Sequence, residues 1–434
     1  MVLQSDMLSG GKELMKKNLQ YAMGLGLALA MVASWLALSA FPATDDSSAS
    51  VKAFVGARVI EGTGKAPIEN ATLVVRNGRI EAVGTSVKVP AGAQKIDAAG
   101  KTIIPGLASG HSHIFAASQL ERYARYGITS VMSLGGDNEI AVRDQLRSEH
   151  PAGYAHLFIA GPIVVSKTPE DARKAVDLVA AAKTDIVKFR LDDQLGKATK
   201  MSPEVYTAIF DEAHKKGMRV AVHVVVLSDA KAVLKLGANM IAHSVRDQDI
   251  DDETIALLKK NKAVYCPTFT RELSTYVYGE KPAFLNDPFL LKNVDQAELA
   301  KVQDPAFQAK MSHDQGGQWY KEHLPVAMRN MKKVFDAGVP IVMGTDSGAP
   351  TGRFQGYFEH LELEDMVQAG LTPMQTLVAA TSNVAKFLHA SDLGTLEPGK
   401  SADLVVLNAN PLDDIKNTRK IDAVYIAGNR VSDK

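Results

Sequence analysis

Two textures of hydrophobic patterning divide this chain. From Val51 onward, and again near the C-terminus, short apolar and polar positions alternate. The segments "KAFVGARVIEG", "ATLVVRNGRIEAVG" and "ADLVVLNANP" show the period-two pattern of half-buried strands. Asn77-Gly78, between "TLVV" and "RIEAV", is a hairpin signal, since both residues tolerate the positive φ of a tight turn. Gly428-Asn429, after "IDAVYIA", reads as a second turn of the same kind. The pattern predicts one small β domain assembled from both ends, residues 51–100 and 392–434.

Between these ends, continuous apolar runs alternate with amphipathic stretches. The runs are "TIIPGLASGHSH", "GITSVMSLGG", "HLFIAGPIV", "DIVKFR", "RVAVHVVV", "MIAHSV", "AVYCPTF" and "PIVMGTDSG". Strands that are apolar throughout belong to parallel sheets covered on both faces. The segment "SPEVYTAIFDEAHKKG" (202–217) reads as a helix with a Ser cap, Pro in its first turn and Lys-Lys-Gly at its end. Eight strand–helix units in series predict an α/β fold, a TIM-type (β/α)8 barrel over 101–391. Segment 270–333, between the seventh and eighth runs, is too long for a plain connection. It is expected to add helices over the barrel mouth.

The first fifty residues follow neither pattern. After Lys16 and Lys17 no charge appears until Asp45, and small residues fill 37–43. A basic start followed by an apolar stretch reads as a signal peptide over 1–43, or as a membrane anchor, since the run is long enough to span a bilayer. Either would place the rest of the chain outside the cytoplasm, periplasmic or extracellular. Met15 ahead of the two lysines reads as the natural start of such a signal, with 1–14 an upstream extension. "TDDSSAS" at 44–50 has the composition of a linker.

Composition narrows the chemistry. The 434 residues are 46% hydrophobic and 23% charged, with 49 basic and 49 acidic side chains. That balance, with no dense basic patch among aromatics, speaks against a nucleic-acid partner. A single cysteine, Cys266, excludes an intrachain disulfide and a cysteine-based zinc site. A metal would have to be held by histidine, carboxylate or a modified side chain.

Histidine placement makes such a site the natural reading. Reactive groups of a barrel sit at the C-terminal ends of its strands. Here those ends carry His111 and His113 (first run), Lys188 (fourth), His223 (fifth), His243 (sixth) and Asp346 (eighth). The other seven of the 11 histidines are expected in helices or loops. A lone histidine on an apolar strand is more often structural than a ligand, and six candidates on five strands outweigh that expectation. Lys188 is the most informative, because a buried ammonium is costly and burial leaves a neutral amine able to take up CO2 as a carbamate. Imidazole and carboxylate donors suit Zn²⁺. The set would hold two divalent ions, with zinc the expected metal: His111 and His113 on one, His223 and His243 on the other, carboxylated Lys188 between them. Such a pair activates water and polarises a carbonyl or phosphoryl oxygen, with Asp346 as ligand and general acid/base.

At this point the sequence resembles the amidohydrolase superfamily, and within it the imidazolonepropionase-like group that includes Xaa-Pro and Xaa-Arg dipeptidases. The resemblance covers Val51 to the C-terminus and rests on "IIPGLASGHSH", "DIVKFR", "AHKKGMRVAVH", "VPIVMGTDSG", "LELEDMVQAGLTPMQTLVAATSNVAKFL" and "LGTLEPGKSADLVVLNANPLDDI". It implies a distorted (β/α)8 barrel with a β-sandwich from both termini, and hydrolysis at a carbon or phosphorus centre. It also places the six candidates on metal and catalytic positions. The chain departs from the usual pattern at Leu107-Ala108-Ser109-Gly110, where relatives often carry Asp, at Ala242-His243-Ser244, and at Val225. Arg246, Tyr265, Arg271 and Arg353 lie just past strand ends and are candidates to bind a substrate carboxylate.

The function this implies is hydrolysis of an amide bond in a dipeptide or N-acyl amino acid, outside the cytoplasm. Lactone, cyclic-amide or phosphotriester hydrolysis is the alternative on the same centre. Deaminases of the superfamily carry an acid soon after the fifth-strand histidine, and "HVVVLSD" offers none before Asp229. A non-catalytic scaffold would be expected to have lost ligands. The partner is a small molecule or dipeptide, with membrane contact only through the N-terminal segment and a homo-oligomer an option that relatives often take.

Overall fold

The computed structural model describes residues 51–432 apart from Asp137 and Pro350. The signal or anchor expected over 1–43 lies outside the described residues. Among the described residues no helix is long and apolar enough to cross a membrane.

Both ends of the chain meet in one sheet. Strands β1 (Val51–Val59), β2 (Ile68–Arg76), β3 (Arg79–Gly84), β4 (Gln94–Asp97) and β5 (Thr102–Pro105) come from the N-terminal side. Strands β13 (Leu404–Leu407), β14 (Ile421–Ile426) and β15 (Asn429–Arg430) come from the C-terminal side. They join in the order β15-β14-β13-β5-β1-β2-β3, with β4 parallel beside β1. This is a single eight-stranded sheet rather than two stacked ones. It curls over its own core: Phe54 of β1 and Tyr425 of β14, three places apart in the strand order, meet edge to face at 5.1 Å. A flat sheet would keep those strands about 14 Å apart at its usual spacing.

The hairpin tips follow from their residues. Asn77 and Gly78 have φ of 50° and 77° and join β2 to β3. The second turn is Ala427-Gly428 rather than Gly428-Asn429: Ala427 and Gly428 carry the positive φ, and Asn429 already opens β15. The two tips press together, and a Cβ on Gly78 would stand 2.7 Å from the Ala427 carbonyl oxygen.

The middle of the chain forms the barrel. Its staves are β6 (Leu107–Ser112), β7 (Ile128–Ser133), β8 (His156–Ile159), β9 (Val187–Arg190), β10 (Val220–His223), β11 (Met240–Ala242) and β12 (Val264–Cys266). The eighth stave, 341–347, is irregular and held by single bridges. Tyr265 pairs with Ile341 on one side, and Ser112 with Ser347 on the other, which closes the ring. Between the third and fourth staves, the Val164–Phe189 bridge spans the gap between the two parallel sheets. His156 opens β8 rather than lying in a helix or loop. Its Nε2 reaches Asp403 at 2.8 Å, tying the barrel to the terminal sheet.

Helix Pro203–Lys215 begins where its sequence predicts and stops before Gly217 (φ 68°), but the Ser202 hydroxyl makes no capping bond to it. The long insertion breaks into short helices because an aspartate caps each in turn. Asp287, Asp295, Asp304 and Asp314 accept backbone N–H bonds at the starts of helices 288–293, 296–303, 305–312 and 315–336. The insertion packs against the loop after the eighth stave, where Gly352 N donates to Glu298 Oε1 at 3.0 Å and Tyr278 donates to the Gly352 carbonyl.

Candidate metal centre

Five of the six expected ligand residues converge at the C-terminal end of the barrel. Asp346 Oδ1 lies 3.2 Å from His111 Nε2 and 2.8 Å from His113 Nε2. The Lys188 ammonium nitrogen is 3.3 Å from His111 Nε2. The rings of His111 and His243 are 4.7 Å apart, and potential ligand atoms of His111, His243 and Asp346 all fall within 4.8 Å of one another. His223 comes close as well, its ring 4.2 Å from that of His243. It differs from the rest in having its own carboxylate: Nε2 donates to Asp192 Oδ2 at 3.1 Å.

The backbone is bent to bring these groups together. His243, Thr268 and Asp346 all have left-handed backbones, with φ of 72°, 53° and 60°. Such conformations cost about 1 kcal/mol or more each for side chains of this kind and cluster at functional sites. Close approach matters too. A Cβ on Gly344 would stand 2.7 Å from both Cys266 Sγ and the His111 backbone nitrogen, so only glycine lets the eighth stave lie against the first.

Hydrogen bonding fixes which atoms face the centre. His113 Nδ1 donates to the Gly135 carbonyl at 2.5 Å. In its neutral form this leaves a lone pair on Nε2, aimed at another acceptor, Asp346 Oδ1. Burial, reinforced by Lys188, lowers the His111 pKa to about 3, so its ring is neutral. Burial opposes ionisation of Asp346, but the Arg353 guanidinium on Oδ2 and the two histidines hold its carboxyl well below the usual range. His243 Nδ1 shares a 2.7 Å bond with Thr268, while its Nε2 is buried without a partner. Imidazole nitrogens and a carboxylate thus converge on one another, with the Lys188 nitrogen beside them. A divalent cation satisfies that arrangement, and the donor set is the one zinc prefers.

Lys188 is only 2% exposed, and burial lowers its pKa to about 8. The uncharged amine needed for carbamate chemistry is therefore accessible near neutral pH.

Above the centre opens a cavity of about 550 Å³. His113, Lys188, His223 and Asp346 form its floor, and His111 and His243 lie fully buried. Arg271 and Arg353 line the wall. Arg246 and Tyr265 do not. Arg246 is wholly buried, 3.1 Å from Glu272 and over the ring of Tyr320, and the Tyr265 hydroxyl lies 2.8 Å from the Val245 backbone N–H. Both follow strand ends, but their side chains turn into the protein.

Carboxylates that the sequence did not single out support the site. Glu139 accepts from Ser133, from Gly135 N at 2.9 Å and from Gly161 N at 2.8 Å, holding the turn whose carbonyl orients His113. Glu359 accepts from Thr345 at 2.6 Å, Ser109 at 3.2 Å and Gly356 N at 2.8 Å. The Ser109 hydroxyl is thus occupied by Glu359.

With this geometry in hand, comparison with known proteins is decisive for the family. The family model for amidohydrolases matches residues 102–431. The chain belongs to the amidohydrolase family. This amidohydrolase is 27% identical over 279 residues to the ochratoxinase of Aspergillus niger, a match spanning 61% of this chain and 49% of that protein. The chain therefore spans about half the length of that curated relative. It is 25% identical over 366 residues to the imidazolonepropionase of Cutibacterium acnes, covering 79% of this chain and 85% of that one. Among solved structures, a putative prolidase from Bifidobacterium longum superposes with a TM-score of 0.71 at 27% identity, covering 88% of this amidohydrolase and 94% of the other chain. The barrel is the distorted TIM barrel of that family.

Proposed function

We propose that this amidohydrolase is a metal-dependent hydrolase of amide bonds in dipeptides or N-acyl amino acids. The observation that carries the reading is the meeting of His111, His113, His243 and Asp346 beneath a cavity whose floor includes His113 and Asp346 and whose wall carries arginines. Zinc ions would be held by His111, His113, His243 and Asp346, with Lys188 as a carbamate and His223 completing a second position. Bound there, the metal supplies Lewis-acid activation of water and of the scissile carbonyl.

The protein's own groups do the rest. Arg353 occupies Asp346 Oδ2, so Oδ1 is left facing the two histidines and the cavity. That oxygen takes a proton from the attacking water and returns it to the departing amine nitrogen. Gly135 fixes the His113 ring through Nδ1, and Thr268 fixes His243. Arg271, whose Nε is buried without a partner, supplies a donor for the substrate carboxylate. The basic and apolar start of the chain supports action outside the cytoplasm.

The test is a panel of dipeptides and N-acyl amino acids, with lactones and phosphotriesters included, assayed with zinc-loaded protein. Amide turnover that is lost in Asp346→Asn and Lys188→Ala is expected. Turnover of lactones or phosphotriesters with none of any amide would overturn the reading.

A further inference from the structure

Beside the main cavity lies a second recess of about 320 Å³, open to solvent. Arg190 and Arg271 line both spaces. The second recess adds Lys197 to these two cations. Its two carboxylates are already engaged. Asp192 accepts from His223 Nε2 at 3.1 Å and from Gln194 N at 2.7 Å, and Asp314 caps the helix at Gly317 N with a 2.6 Å bond.

The cations are less committed. Among the described residues Lys197 has no carboxylate within ion-pair distance. The contact of Arg190 with Asp192 is long, at 3.5 Å. Arg271 uses one amino group on Glu272 and keeps a buried, unpartnered Nε. Three cations against two carboxylates leave the lining net positive, and a concave recess of that sign favours an anion.

The opposite side of the main cavity has another character. Phe115 follows the first stave, and Ile163 and Val165 follow the third. Phe115 is 42% and Val165 76% exposed, two of the few large apolar side chains at the surface. Arg271 follows the seventh stave, which barrel order places across from the third. A substrate spanning the floor therefore has an apolar end toward Ile163 and Val165 and a charged end toward Arg271.

We infer that the second recess is a subsite for a second negative charge on the leaving amino acid, so that the preferred substrates are amides of acidic amino acids. This rests on the amidohydrolase reading above and narrows it. The α-carboxylate sits at Arg271, and the side-chain carboxylate passes Arg190 to reach Lys197.

Equilibrium binding of free glutamate and free glutamine, the corresponding product and its neutral isostere, tests the subsite without requiring turnover. Calorimetry on the zinc-loaded protein is expected to show glutamate binding about tenfold more tightly, a difference that shrinks as salt is raised. Lys197→Gln should remove most of that preference and Lys197→Arg should restore it, which a merely structural lysine would not do. Equal affinity for the two ligands, or a preference that survives Lys197→Gln, would overturn the subsite. The amide panel reports separately. Hydrolysis of amides with no preference for glutamate would sink the subsite alone, whereas glutamate selectivity without amide turnover would sink the catalytic reading alone.

Discussion

Arg353 pins Asp346. Its guanidinium takes one carboxylate oxygen, and the other is left 2.8 Å from His113 Nε2. The arginine favours the charged form of Asp346, so its loss must raise that carboxyl's pKa. In Arg353→Gln the acid limb of the kcat/KM profile should move up by about one pH unit, with reduced activity at the plateau. A pH–rate profile checks this, and an unmoved acid limb would remove Arg353 from that role.

The His156–Asp403 pair, which ties β8 to the terminal sheet, makes stability depend on pH. Burial lowers the His156 pKa, but the Asp403 carboxylate outweighs it and leaves the histidine raised; Asp403 is lowered in turn. A raised histidine gives stability that is complete below its unfolded pKa, about 6.5, and is lost as pH rises through the folded value. A lowered aspartate gives stability present above about 3.9 and lost as pH falls. His156→Gln should therefore lower Tm most near pH 5 to 6 and least above pH 8. A Tm difference that is flat across that range would contradict the pairing.

Glu139 accepts three hydrogen bonds around the turn that orients His113. Glu139→Ala leaves those donors buried and unpaired, at about 1–3 kcal/mol for each. Denaturant melts should show a loss of several kcal/mol, and zinc affinity should fall because the Gly135 carbonyl is no longer held. A variant as stable as the parent would show that water takes over the turn.

Ser109 and Glu359 are coupled in the interior. The hydroxyl sits 3.2 Å from Glu359 Oε1, both groups buried. Ser109→Asp would place two carboxylates there, and the fold should lose stability. Adding Glu359→Gln should recover most of the loss, because the amide can donate where the acid only accepts. Melting curves for both variants settle the point, and failure of the second change to rescue would disprove the coupling.

Much of this architecture was written in apolar runs. All eight runs became staves, because strands covered on both faces leave an unmistakable continuous signal. The last is recognisable in sequence yet only bridged in space, since the left-handed turn at Asp346 breaks its ladder. Strand ends located the histidines that converge at the barrel's C-terminal end, together with Lys188 and Asp346. They failed for Arg246 and Tyr265 because a position past a strand fixes where a side chain begins, not where it turns. Asp192, Glu139 and Glu359 left no signal at all. A carboxylate in a loop or on a helix reads as solvated charge until the fold buries it.

The most direct measurement is the metal content of the purified chain after zinc loading and dialysis, made beside His243→Ala. His243 Nε2 is a buried nitrogen without a partner, and its removal deletes a ligand without adding charge. The metal assignment predicts at least one tightly held zinc per wild-type chain, a clear loss in the variant, and amide hydrolysis that follows the ion content. Less than one ion per wild-type chain, with hydrolysis unaffected by chelation, would contradict it.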